Sequence, residues 1–331
     1  REACPPSFKE ERPAMPQYIE SPEPAIRTIT TGLRFPEGPI AMPDGSVILV
    51  EIERGTLTRC NPDGSTEVIA ETGGGPNGAA LGPDGRVYIC NNGGFKWFYG
   101  DDGGMRSIAQ ADDYTGGSIQ AVDIKTGAVE TLYTHCGEVQ LRGPNDIVFD
   151  KQGGMYFTDL GKTRERDWDR TGIYYAKADG SYITEVAYPL ITPNGTSLSP
   201  DESVLYVAET WTGRLWAFDL ESPGVAKKHA WPVPHGGRLV ANTSGFRNFD
   251  SLAVEADGRI CIATLFDPGI TVMTPDGSSV EHIPLPQDPY CTNICFGGPD
   301  LKTAFITQSY HGTLIAVDWP RPGLALNFLN T

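Results

Sequence analysis

Short apolar runs recur along the chain in pairs, and a tight turn separates the two runs of each pair. In the clearest copy, the apolar residues 147–149 precede Gly153 and Gly154 and then a second run, residues 155–158. Apolar residues on both faces are typical of a buried strand, and paired glycines are typical of a hairpin turn. No stretch of the sequence sustains helical periodicity. The pattern therefore predicts an all-β chain built from hairpins.

One polar residue stands just before the first apolar run of each pair. Strand propensity does not explain it, because Asn and Asp are depleted in strands. Six copies of the unit carry such a residue, and we call them the mouth residues: Glu37, Asn77, Asn145, Asn194, Asp250 and Asn293. Successive mouth residues are about 40 to 70 positions apart, which suits a four-stranded propeller blade with its loops.

The repeat predicts an all-β, six-bladed β-propeller whose innermost strands begin near a central channel. Residues 26–30 alternate in polarity, and we expect them to close the ring by pairing with the last blade. Residues 1–24, rich in Pro and Glu, are expected to form an extended arm, and residues 25–331 a single propeller domain. The predicted blades are residues 33–66, 67–127, 128–180, 181–224, 225–277 and 278–323.

Three longer segments interrupt the repeat. Residues 93–117 contain the aromatic cluster Trp97, Phe98 and Tyr99, and residues 162–170 hold Trp168. The third is a long connecting segment, residues 232–248, which precedes Asp250. Loops of this length inside a compact domain are usually functional or disordered. The aromatic cluster could wall or roof a pocket, or it could pack over a blade edge.

The net charge of the chain limits the kinds of macromolecule that it can bind. The 331 residues include 26 Lys and Arg against 42 Asp and Glu, so the net charge is −16. So acidic a surface argues against nucleic acid or an anionic membrane as a partner. No apolar run has the length needed to cross a bilayer.

The seven cysteines are odd in number and lack the short spacing of a disulfide scaffold. Cys291 and Cys295 have no second pair or nearby His, so they do not indicate zinc. We therefore expect a reducing, cytoplasmic location.

In a propeller the mouth residues should converge, and here they are two carboxylates and four amides. Buried carboxylates repel one another unless a cation or a proton intervenes. Oxygen ligands of this kind suit Ca²⁺, and also Mg²⁺ or Mn²⁺, whereas no mouth residue offers the nitrogen or sulfur of a typical zinc site. The alternative is that these side chains only satisfy backbone groups at strand starts.

The motifs resemble the SMP-30/gluconolactonase/luciferin-regenerating-enzyme family, six-bladed propellers with one divalent metal in the channel. The resemblance spans residues 30–323 and rests on Glu37 after Phe35-Pro36, Asn145 after Gly143-Pro144, Asn194 after Thr192-Pro193, and Asp250 after Asn248-Phe249. It implies that Glu37, Asn145, Asn194 and Asp250 bind one metal, with Ca²⁺ expected and Mg²⁺, Mn²⁺, Zn²⁺ or Fe²⁺ as alternatives.

The resemblance also implies a substrate site. Asn77 and Asn145 would contact substrate, and Arg142 lies one position from a substrate-contacting Arg of some relatives. Where many relatives have Pro and Gly, Phe249 and Ser251 flank Asp250 here. The hydroxyl of Ser251 could be an extra ligand or could support the ligands from behind, and Asn293 could support them in the same way.

The function implied is metal-dependent hydrolysis of a small lactone, with an aldono-1,4- or 1,5-lactone favoured. The metal would polarise the carbonyl, and Asp250 would act as general base, with a nucleophilic carboxylate as the competing role. A promiscuous aryl-ester or phosphotriester hydrolase on the same metal is one alternative. A non-catalytic propeller that binds a ligand or protein around a structural ion is another. The roles of His235, in a loop expected to be exposed, and of His311 stay open.

Overall fold

The computed structural model describes residues 16–230, 233–243 and 245–330. Within these ranges all regular secondary structure is β-strand, and no helix is present that could cross a membrane. Six antiparallel sheets form a ring, because each innermost strand contacts the innermost strand of the next sheet and the sixth contacts the first. The prediction of a six-bladed β-propeller is therefore confirmed.

The first three blades follow the chain from the innermost strand outward. Blade 1 consists of Pro36–Ala41, Val47–Glu51, Thr56–Cys60 and Thr66–Glu71. Blade 2 consists of Pro76–Leu81, Val87–Asn91, Ser118–Val122 and Val129–Tyr133. Blade 3 consists of Pro144–Phe149, Gly154–Asp159, Thr171–Lys177 and Ile183–Leu190. Two strands inserted into blade 2 and a small ribbon after it are Phe95–Tyr99, Met105–Gln110, His135–Cys136 and Val139–Gln140.

The other three blades carry the additions that close the molecule. Blade 4 consists of Pro193–Leu198, Val204–Glu209, Arg214–Ser222 and Arg238–Asn242, with the short strand Val225–Ala226. Blade 5 consists of Asn248–Val254, Ile260–Leu265, Gly269–Met273, Ser279–Pro284 and the N-terminal strand Gln17–Glu20. Blade 6 consists of Cys291–Gly297, Thr303–Gln308, Thr313–Asp318 and the N-terminal strand Ile26–Thr30.

The ring closes as the sequence predicts. Ile26–Thr30 pairs antiparallel with Thr313–Asp318, which places Ile26 opposite Val317. The predicted extended arm over residues 1–24 lies largely outside the described residues, but Gln17–Glu20 pairs parallel with the outer strand of blade 5. The N-terminal segment therefore joins the outer strands of blades 5 and 6.

The predicted blade boundaries were wrong by about one strand. The sequence ended blade 1 at residue 66 and blade 3 at residue 180, whereas their outermost strands run to Glu71 and Leu190. In blade 4 the third strand from the channel is Arg214–Ser222. The outermost strand, Arg238–Asn242, lies within the long segment 232–248 that precedes Asp250. Outermost strands such as Thr66–Glu71 are largely exposed, so their polar composition hides them from a reading of apolar runs.

The C-terminal segment covers the channel end opposite the mouth residues. Leu324 and Leu326 lie against the far ends of the innermost strands, next to Val254 and Phe296. Asn327 donates hydrogen bonds to the carbonyl of Phe149 and to Glu202. The central channel is therefore accessible from its mouth end.

Candidate active site

The mouth residues stand where each innermost strand departs from regular pairing. In all six blades the register between the first and second strands shifts at the mouth residue or beside it. Such bulges bend a strand and redirect a side chain. Asn and Asp, which are depleted in β-strands, are therefore tolerated here because these positions are not regular strand positions.

Glycines next to the mouth residues let neighbouring blades approach closely. A Cβ on Gly38 would lie 2.6 Å from the carbonyl oxygen of Asn77, and a Cβ on Gly195 would lie 2.6 Å from the amide nitrogen of Leu252. Both distances are shorter than any side chain tolerates, so only glycine fits. Blade 3 has Asp146 at the corresponding position.

Five of the six mouth residues meet in one cavity of about 320 Å³ at the channel mouth. The side chains that share its floor are Glu37, Asn77, Asn145, Asn194, Asp250 and one further amide, Asn248. Asn293 lies deeper in the channel and donates to Glu37 Oε2 at 2.7 Å. Buried Ser251 lies 3.4 Å from Asn194 Oδ1 through its hydroxyl. Both residues contact the predicted ligands without lining this cavity.

Arg142 does not join this group. Its side chain is exposed and donates to Gln140 at 3.3 Å, while its backbone N–H donates to Asp159 Oδ2 at 2.7 Å. Asp159 therefore fixes the loop before Asn145 by binding its backbone, and the Arg142 guanidinium stays at the surface.

Glu37 is a buried carboxylate with one oxygen already engaged. Its Oε2 accepts hydrogen bonds from Asn293 and from the Gly38 N–H. Burial raises the pKa of Glu37 well above its usual range, and the negative charge of Asp250 raises it further. The second oxygen, Oε1, accepts no hydrogen bond from the described part of the chain.

Two further carboxylates lie close by. Burial raises the pKa of Asp250 to about 8, against the opposing effect of hydrogen bonding from Asn194, and the charge of Asp146 raises it further. Burial also raises the pKa of Asp146 to about 7, although its oxygens accept backbone hydrogen bonds from Ile147 and Thr196. Carboxylates that raise one another's pKa in this way favour a nearby cation or bound protons.

The amide oxygens complete the donor set. Asn145 Oδ1 is buried and accepts no hydrogen bond from any described residue. Asn194 donates its Nδ2 to Thr210 Oγ at 3.0 Å, which fixes the side chain and leaves Oδ1 as an acceptor. No three His, Cys, Asp or Glu side chains of the described ranges are grouped to hold a metal, so a cation here would depend on these amides. An acceptor without a donor beside two buried acids fits a hard, oxygen-preferring cation.

Asn248 and Asp146 are site residues that the sequence did not single out. Asn248 is buried on the cavity floor, and its Nδ2 has no acceptor among the described residues. It stands two positions before Asp250, the spacing at which strand residues share a face, so this signal was available. Asp146 carried no comparable signal, because glycine occupies its position in blades 1, 2 and 4.

The aromatic insertion in blade 2 forms a hairpin over the channel mouth. Its strands, Phe95–Tyr99 and Met105–Gln110, pair antiparallel, and Phe95 and Ile108 line the cavity. Its tip is held on blade 6, because the Met105 N–H donates to the Tyr310 carbonyl and Tyr310 donates to Asp102. The hairpin therefore forms part of the cavity wall through Phe95 and Ile108.

The aromatic residues singled out in the sequence do not line the cavity themselves. Trp97 packs on Phe35 with ring centroids 5.1 Å apart, and Phe98 and Tyr99 are exposed. Trp168 is also exposed and stands outside the lining residues. The apolar surface of the cavity comes from other positions.

Neither histidine lines the cavity. His235, expected on an exposed loop, is buried against Trp216 and Phe218, with ring centroids 4.6 and 5.5 Å away, and this burial lowers its pKa. Exposure was the wrong expectation because the loop folds its imidazole into the core of blade 4. His311 lies 3.2 Å from Asp288 through Nδ1.

The chain is similar to known proteins in both sequence and fold. Residues 35–310 match the SMP-30/Gluconolactonase/LRE-like region. The chain is 24% identical to the gluconolactonase of Zymomonas mobilis, over 86% of this chain and 79% of that protein. It is 28% identical to lactonase drp35 of Staphylococcus saprophyticus, over 80% of this chain and 74% of that protein. Regucalcin of Agrobacterium tumefaciens, described as a calcium-binding protein, has the same fold with a TM-score of 0.70 at 18% identity, covering 93% of this chain and 99% of that one.

Proposed function

Since the chain belongs to the SMP-30/gluconolactonase/LRE-like family, we propose that it is a lactonase, which hydrolyses the ring ester of a small lactone with the help of one divalent cation. The names of the Zymomonas and Staphylococcus relatives support the reaction class. The cavity supports the assignment with acids, amides and space for a small molecule at one channel mouth.

Glu37, Asn145, Asn194 and Asp250 are the side chains that would hold the cation. We propose Ca²⁺, because two carboxylates and two amide oxygens are hard ligands and none of the four side chains offers nitrogen or sulfur to a softer metal. When bound, such a cation polarises an ester carbonyl and stabilises the negative charge that develops on its oxygen.

Asp250 is the proposed general base. It is partly exposed to the cavity, where a water molecule has access, and a carboxylate oxygen would take the proton from that water as it attacks the carbonyl. Glu37 is less suited to this role, because Asn293 and Gly38 already engage one of its oxygens and burial covers the rest of the side chain. Direct attack by Asp250 on the ester is the competing role.

The amides of the floor would orient the lactone. Asn248 Nδ2 lacks an acceptor among the described residues, so it is available to donate to an oxygen of the substrate. Asn77 lines the same floor and would contact the ring from the blade 2 side. A sugar lactone, favoured by the resemblance, would place its hydroxyl groups against these amides.

The observation that carries the proposal is the Asn145 oxygen, which has no donor among the described residues and shares this cavity with the carboxylates of Glu37 and Asp250. The test is hydrolysis of simple γ- and δ-lactones and of glucono-1,5-lactone, with purified protein before and after removal of metal by a chelator. We expect turnover that chelation abolishes, that Ca²⁺ restores and that Asp250→Asn loses. Turnover that survives chelation would overturn the metal-assisted mechanism, and absence of turnover would favour a binding protein.

A further inference from the structure

The lining of the cavity is polar at its floor and largely apolar above the floor. Most of the large side chains that wall it are apolar or aromatic, namely Phe35, Phe95, Ile108, Trp211, Phe266 and Tyr290, and the hydroxyl side chains of Ser107, Thr163 and Thr210 lie among them. Arg106 is the one cationic residue that lines the cavity in the described structure. The walls therefore offer more apolar surface than hydrogen-bonding groups.

Two of the wall residues are held in an unfavourable backbone conformation. Phe35 has φ of 55° and Phe266 has φ of 69°, in the left-handed region that bulky side chains rarely adopt. Hydrogen bonds to neighbouring loops hold both, because the Phe35 carbonyl accepts from the Ile52 N–H and the Phe266 N–H donates to the Pro289 carbonyl. Strain of this kind persists where a structure needs a side chain in one place, and here it puts two rings on the cavity wall.

The apolar wall continues outward to the rim. Trp211 is 57% exposed, and Phe246, 69% exposed, stacks on Phe266 with ring centroids 5.4 Å apart. Large apolar side chains that stay exposed around a cavity mark a surface that binds apolar groups. The cavity volume of about 320 Å³ falls at the lower end of the range of small-molecule sites, roughly 300–1,000 Å³, so a lactone ring leaves room for a substituent.

We propose, resting on the lactonase function, that the pocket selects lactones that carry an apolar alkyl or aryl substituent over polyhydroxylated sugar lactones. The ester would lie on the polar floor, and the substituent would lie between Trp211 and Phe266. A sugar lactone would place some hydroxyl groups against the floor amides, but those that face the aromatic rings would be buried without partners, which is unfavourable. This selectivity differs from the sugar lactone that the sequence resemblance favours.

The test measures kcat/KM for γ-butyrolactone, for γ-lactones with alkyl chains of increasing length, for an aryl-fused δ-lactone and for glucono-1,5-lactone. We expect kcat/KM to rise roughly three- to fourfold for each methylene that the walls bury, and to be at least tenfold lower for glucono-1,5-lactone than for the aryl lactone. A flat series, or preference for glucono-1,5-lactone, overturns the selectivity and leaves the lactonase function intact. Failure to hydrolyse any lactone overturns the function itself.

Substitutions in the cavity wall test whether the wall residues determine the preference for apolar lactones. Trp211→Ala and Phe266→Ala should flatten the rise along the alkyl series, and Trp211→Phe should restore most of it. Tyr182→Ala is the matched control, because Tyr182 is 49% exposed and stands outside the cavity lining. A loss of the same factor for every lactone, γ-butyrolactone included, would show a merely structural role and contradict the assignment of these two residues.

Discussion

At the scale of single residues, the site is marked by polar atoms that lack partners. Buried polar groups in proteins are nearly always hydrogen-bonded, so an unpaired one needs a reason. Asn145 Oδ1, an acceptor, and Asn248 Nδ2, a donor, both lie on the cavity floor and have no hydrogen-bond partner among the described residues. A cation and a substrate oxygen are the partners that would satisfy them.

Replacing Asn248 by Ala separates function from stability. The variant should lose about two- to tenfold in kcat/KM, the effect of removing one hydrogen bond to the substrate that contributes roughly 0.5–1.5 kcal/mol. Its Tm should stay the same or rise, because the buried unpaired Nδ2 is removed. Asn242→Ala, outside the cavity lining, is the control. Lactone kinetics and a thermal melt of the same variant measure the two quantities. A fall in both activity and Tm would contradict this role.

The acids predict how pH changes calcium stabilisation. The folded-state pKa values of Glu37 and Asp250 are raised, so the metal-free protein holds protons there that the unfolded chain has lost. Its stability from these groups is complete below their ordinary pKa values and is lost as pH rises towards about 8. Calcium competes with these protons, so the Tm increase caused by Ca²⁺ should be larger at pH 8.5 than at pH 5.

Thermal melts of chelator-stripped protein with and without Ca²⁺ at the two pH values measure this difference. In Asp250→Asn the pH dependence of the calcium effect should shrink, because one of the two titrating acids is gone. An equal Tm increase at both pH values would contradict binding at these acids.

At the scale of elements, the hairpin over the mouth depends on a buried lysine. Lys162 Nζ donates to Asn92 Oδ1 at 2.9 Å and to the Gly94 carbonyl at 2.8 Å, and it lies 3.9 Å from the centroid of the Phe95 ring. Lys162 is on the loop after the second strand of blade 3, and the other three residues are at the root of the hairpin. One side chain therefore ties this wall to a neighbouring blade.

Lys162→Met should loosen the hairpin. Two buried acceptors lose their donor, so we expect faster amide hydrogen exchange across residues 93–117. KM for apolar lactones should rise, because Phe95 and Ile108 on this hairpin line the cavity. The exposed Lys151→Met is the matched control. Unchanged exchange across the hairpin would show that other contacts fix it.

The sequence predicts elements well where they are buried and repeated. Innermost and second strands were recognisable because both faces are apolar, and the mouth residues because six copies stand in the same position. Exposed outer strands such as Thr66–Glu71 carry no such pattern. The hairpin and the fold of the His235 loop depend on contacts with distant parts of the chain, which local pattern does not contain. The cavity wall was missed for the same reason, since Trp211 and Phe266 are loop residues outside the repeat.

At the scale of the whole molecule, the N-terminal segment closes the ring. Ile26–Thr30 covers the edge of blade 6, and Gln17–Glu20 extends blade 5, where Glu20 pairs with Arg247 at 3.0 Å. An uncovered edge strand exposes its backbone groups to water and to other chains. We therefore expect closure by the first and last parts of the chain to stabilise the ring of six blades.

Two truncations test this closure. Removing residues 1–24 deletes the blade 5 strand and should lower the Tm by a few degrees. Removing residues 1–30 also uncovers Thr313–Asp318 and should lower the Tm much further or cause aggregation. Calorimetry with light scattering makes the comparison, and equal melting of the two truncated proteins would show that the closing strand is dispensable.

Calcium titration by calorimetry into chelator-stripped protein tests the central claim most directly. Wild-type protein should bind one Ca²⁺ per chain, and both Glu37→Gln and Asp250→Asn should weaken binding by at least tenfold, with lactone hydrolysis lost in parallel. Absence of binding by the wild type, or undiminished binding by both variants, would contradict a calcium site at the mouth of this channel.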